Sequence, residues 1–343
     1  MLSVDVAIPC YQYGRYLREC VTSVLQQDVD RLRILIIDNA STDNSAAVAR
    51  ELAAGDHRIE IIPRQKNLGI HASFNEGIEW AKAEYFTILA ADDCLAPGAL
   101  TRAIGALENH PLASFAIGRE AQLWCGSPNC RVGADDVGGG WRLKPGISFI
   151  EERFLFPGSY QAGFLTVRTQ AQKRAGHYRP ELPHTDDLEM LLRLALQGPV
   201  VQLQSIQGLR REHGSNRSQT YRGGDGADGW HRLAAFESFF RHEGATLPDR
   251  ERLHRLARRG LAEWGYWSAI SHAVRGHISG AAELLRLALS LHPSMTLLPP
   301  VNYLMRMDRP GERIAGVLLS AFDRVAGRPA RVGLGRDHED AIG

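Results

Sequence analysis

The chain has few of the features that mark a secreted, membrane-spanning or nucleic-acid-binding protein. Its five cysteines (Cys10, Cys20, Cys94, Cys125 and Cys130) are odd in number and scattered through 343 residues. That excludes a disulfide-stapled scaffold and suits a reducing, cytosolic setting. Cys125 and Cys130 lack the matching second pair that a zinc site usually shows. No uninterrupted apolar run reaches the roughly 18 residues of a membrane span. The most lipophilic stretch, MTLLPPVNYLMRM at 295–307, is short and broken by two prolines. The amino terminus, MLSVDVAIP, has no basic segment followed by a long apolar core, so no signal peptide is expected. With 40 basic and 39 acidic residues the net charge is +1. There is thus no general electrostatic pull toward nucleic acid or an anionic membrane, and any bound anion must be held locally. GxGxxG and GxxxxGK[ST] are both absent, which removes the dinucleotide fingerprint and the P-loop.

What is present is a chain able to bury a large core, with 44% hydrophobic and 23% charged residues. Residues 3–118 alternate short β-branched runs with amphipathic stretches, the pattern of an α/β fold with a mostly parallel sheet between helices. VDVAIP, LRILIID, IEIIP, YFTILA and LASFAIG read as strands. RYLRECVTSVLQQ reads as a helix with Tyr16, Leu17, Cys20, Val21 and Val24 on one face, and STDNSAAVARELAA as a helix capped by Ser41 and Thr42. HASFNEGIEWAKA and PGALTRAIGALENH are the next two. Residues 119–147, rich in glycine and turn formers, read as a long loop. GISFIEERFLF (helix), GFLTVR (strand) and DDLEMLLRLALQG (helix) follow, then a second loose stretch, SNRSQTYRGGDGADGW. The remainder, ending in ERIAGVLLSAFDRVAG and a tail, reads as all-helical. The expected division is 1–225 for the α/β domain and 226–343 for a helical carboxyl-terminal region.

Three strand ends carry polar groups. The first runs into PCYQYG, the second into Asp38 of IIDNASTDNS, and the fourth into Asp92 and Asp93 of LAADDCLAP. Open α/β sheets gather ligands at the carboxyl ends of their strands. Buried carboxylates there cost desolvation free energy unless a metal or a hydrogen-bond donor compensates them. Lacking a P-loop, such a site would hold phosphates through a divalent cation on hard oxygen ligands, magnesium or manganese.

AIPCYQYGRYLRECVTSVLQQ, ILIIDNASTDNS, NLGIHASFNEGIEWAKAEYFTILAADDCLAP and GHYRPELPHTDDLEMLLRLALQG resemble, in order, the motifs of family 2 glycosyltransferases. The likeness covers about residues 3–220. It implies a GT-A fold and transfer of a sugar from a nucleotide diphosphate donor to an acceptor hydroxyl, with inversion and with Mn2+ or Mg2+. Pro9 and Tyr11 then resemble the residues beside the base, and Asp38 the acid that bonds it. Asn67 and Gly69 match the NxG element, and Asn75 and Gly77 the helix below it. In LAADD the first acid of the usual DxD is replaced by Ala90, leaving Ala91 beside the nucleotide, Asp92 as the metal-binding acid and Asp93 in support. Gln12 and Phe74 stand where asparagine and arginine are common. In HTDDLEMLLR, Asp187 resembles the catalytic base, supported by Asp186; a sugar hydroxyl attacks readily only when a carboxylate takes its proton. In RREHGSNRS, which reads as a loop, His213 would complete the metal shell and Arg210 or Arg211 would touch phosphate.

The implied donor is UDP- or dTDP-linked, and the acceptor a sugar, a lipid-linked glycan or a small molecule. Trp124, Trp141 and Trp230 are candidates for stacking on sugar, against plain packing. The helical region could shape the acceptor cleft, form a homodimer, or rest on the inner membrane surface. The rivals are a sugar nucleotidyltransferase, whose glycine- and arginine-rich loop is absent, and a catalytically silent nucleotide-sugar-binding or scaffolding protein, which Ala90 favours. A nicotinamide oxidoreductase lacks its fingerprint.

Overall fold

The computed structural model describes residues 2–124, 139–158, 164–214, 216, 226–306, 311 and 315. The chain forms two compact units. The first comprises Met1–Phe149, Gln161–Glu181 and Met190–Gly214, and the second Ile150–Tyr160, Leu182–Glu189 and Ser215–Gly343. The helical unit thus takes in, besides the carboxyl-terminal residues, two short pieces from the middle of the sequence.

The first unit is built on one sheet of nine strands among the described residues. β1 (Ser3–Cys10), β2 (Arg31–Asp38), β3 (Ile59–Pro63) and β4 (Tyr85–Ile88) are parallel in the order β3-β2-β1-β4. Val4, Val6, Ala7, Ile8, Ile34, Ile36 and Ile37 are fully buried, as a strand covered on both faces requires. The sheet continues through β8 (Leu165–Arg168), β6 (Phe115–Trp124) and β9 (Val200–Glu212) to β5 (Cys94–Leu95), with β7 (Trp141–Lys144) paired to β9. β8 runs antiparallel to β4 and β6, and β5 antiparallel to β9.

Two expected loops are partly strand. β6 runs on to Trp124 and β7 occupies 141–144, both paired with β9. β9 itself carries Arg210 and Arg211 within the strand. The turn-rich composition around these segments hid pairings that depend on partners far away in sequence.

Helices α1 (Gly14–Leu25), α2 (Ser45–Gly55), α3 (Ile70–Trp80) and α4 (Ala99–Glu108) lie in the first unit, as does α6 (Thr169–Ala175). The buried face of α1 carries the expected Tyr16, Leu17, Cys20, Val21 and Val24. α3 sits so close to the sheet that a Cβ on Gly77 would come within 2.6 Å of the Ala7 Cβ. α5 (Gly146–Leu155) and α7 (Asp186–Ala195) each pass from one unit to the other along the chain.

The second unit holds α8 (Ala227–Arg241), α9 (Arg250–Arg275), α10 (Ile278–Leu291) and α11 (Val301–Arg306). Phe154 packs in a cluster with Phe236, Phe239 and Phe240, and a Cβ on Gly260 would meet the Phe154 carbonyl at 2.0 Å. Phe154 and its segment, 150–158, are therefore part of this core by packing, although they precede the helical tail. Among the described residues no helix is long and apolar enough to cross a membrane. The expected helix at ERIAGVLLSAFDRVAG lies, apart from Ala315, outside the described residues.

Candidate active site

The carboxyl ends of β1, β2 and β3 lie in one row, with Cys10 opposite Asp38 and Asp38 opposite Pro63. The turns that leave this row contain the two non-glycine residues with left-handed backbone among those described, Gln12 (φ 63°) and Ala40 (φ 62°). Such backbone costs an L-residue about 1–2 kcal/mol and persists only where neighbours enforce it. Here they do. The Gln12 amide donates to Ser41 Oγ (3.0 Å) and its Nε2 to Thr42 Oγ1 (2.7 Å). The Tyr13 and Gly14 amides donate to Ser45 Oγ (3.1 Å) and Asp43 Oδ2 (3.1 Å). The expected helix caps are thereby corrected: α2 is entered through Asn44, and the hydroxyls of Ser41 and Thr42 join two loops. On this rim Pro9 is buried, Tyr11 is 43% exposed, and Asp38 is buried with Oδ1 accepting from the Ser41 amide at 3.3 Å.

Asn39, buried beside Asp38, ties the rim to the Asn67–Gly69 loop. Its Nδ2 donates to Asn67 Oδ1 (2.8 Å) and to the Gly69 carbonyl (3.2 Å). Its Oδ1 accepts from the Leu68 amide (3.0 Å) and from Arg64 Nη1 (3.0 Å). Arg64 also donates to Ser73 Oγ (3.0 Å) and to Glu76, so it spans from the end of β3 to α3. Gly69, at φ 84°, turns the chain into α3 where a side chain would be strained. Sequence reasoning missed Asn39 and Arg64 as site-building residues. Their partners lie 9 to 30 positions away, and nothing local announces them. Asn75 and Gly77 serve packing: Asn75 exchanges hydrogen bonds with the Tyr178 backbone at 2.7 and 3.1 Å.

Beyond β4 the chain turns through Ala90, which is exposed, and Ala91, which is fully buried in the core cluster, to Asp92 and Asp93. β5 then pairs with β9, which delivers the residue after its end, His213, to Asp92: His213 Nε2 lies 3.1 Å from Asp92 Oδ2. The imidazole stacks on Tyr16 (5.0 Å between centroids, 26°) and meets Tyr13 edge-on (5.5 Å). Burial, and then the nearby Asp92 charge, push the Tyr13 phenol well above its ordinary value, so Tyr13 presents a hydroxyl to Asp92. Burial and the adjacent Asp92 likewise raise the Asp93 carboxyl. Arg211 is turned toward protein. Its amide donates to Asp93 Oδ1 (2.9 Å), its Nε to the Asp92 carbonyl (2.9 Å) and its Nη2 to Glu19 (2.5 Å), over the face of Tyr16. It clamps the acid turn from below. Arg210 lies 3.5 Å from Glu120 and 3.3 Å from Glu212.

A carboxylate oxygen and an imidazole nitrogen, brought together at the ends of the paired strands β5 and β9, suit a divalent cation that keeps its remaining positions for water and phosphate oxygens. Among the described residues no three His, Cys, Asp or Glu side chains are gathered to hold an ion unaided. The residues fit an ion shared with a ligand.

Asp186 and Asp187 lie in the second unit, at the first turn of α7, where acids are favoured by the helix dipole. Asp186 is buried, and Asp187 Oδ1 accepts from the Leu188 amide at 2.7 Å. Trp141 is 44% exposed and donates to His110 Nε2 at 2.8 Å; Trp230, on α8, is 40% exposed. The Trp124 side chain, Cys125 and Cys130 lie outside the described residues. Cys10, Cys20 and Cys94 are buried and unpaired, and burial raises the Cys10 thiol to about 11 and the Cys94 thiol to about 12. They are inert at neutral pH.

The model of glycosyl transferase family 2 matches residues 5–134. The chain is 36% identical over 90 residues to glycosyltransferase GlyG of Streptococcus pneumoniae, covering 26% of this chain and 30% of that relative. The chain thus spans under a third of that relative's length. Among solved structures, Staphylococcus aureus TarS 1-349 in complex with UDP-GlcNAc aligns with a TM-score of 0.56 at 12% identity, covering 86% of this chain and 92% of that one. The mannosyltransferase PcManGT from Pyrobaculum calidifontis, in complex with GDP-Man and Mn2+, aligns at 0.52 and 17% identity, covering 95% and 88%. At such identities the likeness is one of fold, the GT-A fold.

Proposed function

We infer, from the premise that residues 5–134 belong to glycosyl transferase family 2, that the protein is an inverting glycosyltransferase that uses a nucleotide diphosphate sugar and a divalent cation. The observation that carries this reading is the pairing of Asp92 with His213 at 3.1 Å beside the strand-end rim of Pro9, Tyr11 and Asp38. Tyr11 offers an aromatic face to a base, and Asp38 a carboxylate to its N–H groups. Asn39 and Arg64 hold the Asn67–Gly69 loop in place for the nucleotide. Asp92 and His213 would hold Mn2+ or Mg2+, which when bound neutralises charge on a departing diphosphate. Asp187 is assigned the proton. As the acceptor oxygen bonds to the anomeric carbon, the bond from that carbon to the diphosphate breaks, the hydroxyl proton passes to the Asp187 carboxylate, and the electron pair leaves with the diphosphate. A single displacement inverts the configuration.

UDP- and dTDP-sugars are the assigned donors; the GDP-Man in the PcManGT complex adds a guanine nucleotide to those worth testing. A second reading, a catalytically silent nucleotide-sugar-binding protein, is favoured by Ala90, an exposed methyl where the family carries an acid. Donor hydrolysis separates the two. The enzyme, with manganese, releases nucleoside diphosphate slowly from its sugar nucleotide, and Asp92→Ala abolishes that release. Binding without any release supports the silent reading instead.

A further inference from the structure

We propose that the first turn of α8 is a seat that holds the Asp186–Asp187 pair in its working position, so that the helical unit positions the base. This rests on the reading of Asp187 as base.

All the contacts concerned lie within the second unit. The two residues that precede the acid pair are both fastened to α8. His184 Nε2 lies 2.8 Å from Asp228 Oδ1, and Thr185 Oγ1 donates to the His231 carbonyl at 2.8 Å. Thr185 is buried, and the rings of His184 and His231 meet edge-on at 5.5 Å. The other Asp228 oxygen accepts from Arg232 Nε at 2.8 Å, and Arg232 also donates to the Pro157 carbonyl. One turn of one helix therefore binds two chain segments that arrive from the middle of the sequence. Burial alone would raise the Asp228 carboxyl, but the Arg232 charge and the hydrogen bonds from His184 and Arg232 outweigh it and hold it well below the usual carboxylate range. Asp228 thus stays an anion, and its bond to His184 is charge-assisted.

The seat is itself rigid. Gly226, at φ 77°, comes so close to α10 that a Cβ would sit 2.6 Å from the Gly280 carbonyl. A Cβ on Gly229 would sit 2.6 Å from Leu287. The Arg232 guanidinium lies 5.1 Å over the Trp264 ring of α9. The acid pair begins a helix, so its aim depends on the backbone just before it, and that backbone is fixed from α8. His184, Thr185 and Asp228 act here as positioning residues.

The test uses the full chain, Mn2+, and whichever of UDP-GlcNAc, UDP-glucose, dTDP-glucose and GDP-mannose it hydrolyses fastest, with water as acceptor. Asp228→Asn keeps the shape and removes the charge. It is expected to lower kcat by about 10- to 100-fold, as small misplacements of a reacting group do. Donor KM and the affinity for the nucleoside diphosphate should stay within twofold. His184→Ala should behave alike, and His184→Gln, which keeps a donor toward Asp228, should recover most of the rate. Should Asp228→Asn fail to fold, the two His184 variants decide.

The proposal is overturned if Asp228→Asn and His184→Ala turn over at the wild-type rate while Asp187→Asn is inactive. It is overturned equally if they lose nucleotide affinity in proportion to kcat, since that would mark general damage. A fully active Asp187→Asn, or no hydrolysis of any donor, removes the assignment of the base and the seat with it.

Discussion

Two buried carboxylates of the first unit, Asp5 on a strand and Asp92 in the turn between two strands, differ sharply in what surrounds them. Asp5, near the start of β1, accepts hydrogen bonds from Nε and Nη2 of Arg33 (2.8 and 2.6 Å) and from the amides of Lys82 (2.6 Å) and Ala83 (2.8 Å). That is a complete set of donors, a bidentate cation among them. Asp92, just past the end of β4, faces His213 and Tyr13, with a second acid, Asp93, beside it. Nothing in that set matches the Arg33 fork. Burial costs both acids hydration; Asp5 regains it from the fold, and on the proposed reading Asp92 regains it from a bound cation. On the proposed reading the first unit therefore carries one acid that serves stability and one that serves binding.

This contrast can be broken in order of size. Asp92→Ala should cut sugar-nucleotide turnover about a thousandfold, roughly 4 kcal/mol of barrier, while the melting temperature changes little; steady-state kinetics and calorimetry on one preparation read both. Asp5→Ala should do the reverse. It should cost about 2–3 kcal/mol of stability, less than a fully buried pair would because Arg33 remains partly in water, and urea unfolding should show it. If the losses were interchanged, the contrast would be wrong.

Asn39→Ala sharpens the comparison by attacking the binding end without touching a carboxylate. Removing three hydrogen bonds to the Asn67–Gly69 loop and one to Arg64 should weaken nucleoside diphosphate binding about tenfold, about 1.4 kcal/mol, as read by titration calorimetry. Unchanged affinity would show that the loop holds itself. The smallest effect is expected from Ala40→Gly. Relief of the left-handed alanine, offset by the added freedom of glycine in the unfolded chain, should net about 0.5 kcal/mol of stability, with binding a fewfold weaker because the rim is looser.

Much of the first unit was legible because its parallel strands are short apolar runs with polar turns, and that pattern is local. The row of Cys10, Asp38 and Pro63 follows from it directly. Less was legible where geometry depends on distant partners. Arg211 reads from sequence as a phosphate ligand in a loop; it lies in a strand and grips the turn of Asp92 and Asp93, 119 and 118 positions away. Asn39 and Arg64 look ordinary until the loop at 67–69 folds back on Asn39, which Arg64 in turn holds. The attachment of His184 and Thr185 to α8 has no periodic signature at all. The reach of the helical unit into 150–160 and 182–189 was unreadable for the same reason.

The most direct test of the central claim, that Asp92 anchors the cation and through it the donor diphosphate, is a thermal-shift titration with UDP, dTDP and GDP, with and without Mn2+, on the wild type and on Asp92→Ala. A ligand at about a hundred times its Kd stabilises the folded state by about 2.7 kcal/mol. The account predicts a clear manganese-dependent rise in melting temperature for at least one nucleotide in the wild type, lost in Asp92→Ala. No rise with any nucleotide, or an equal rise in the variant, would contradict it.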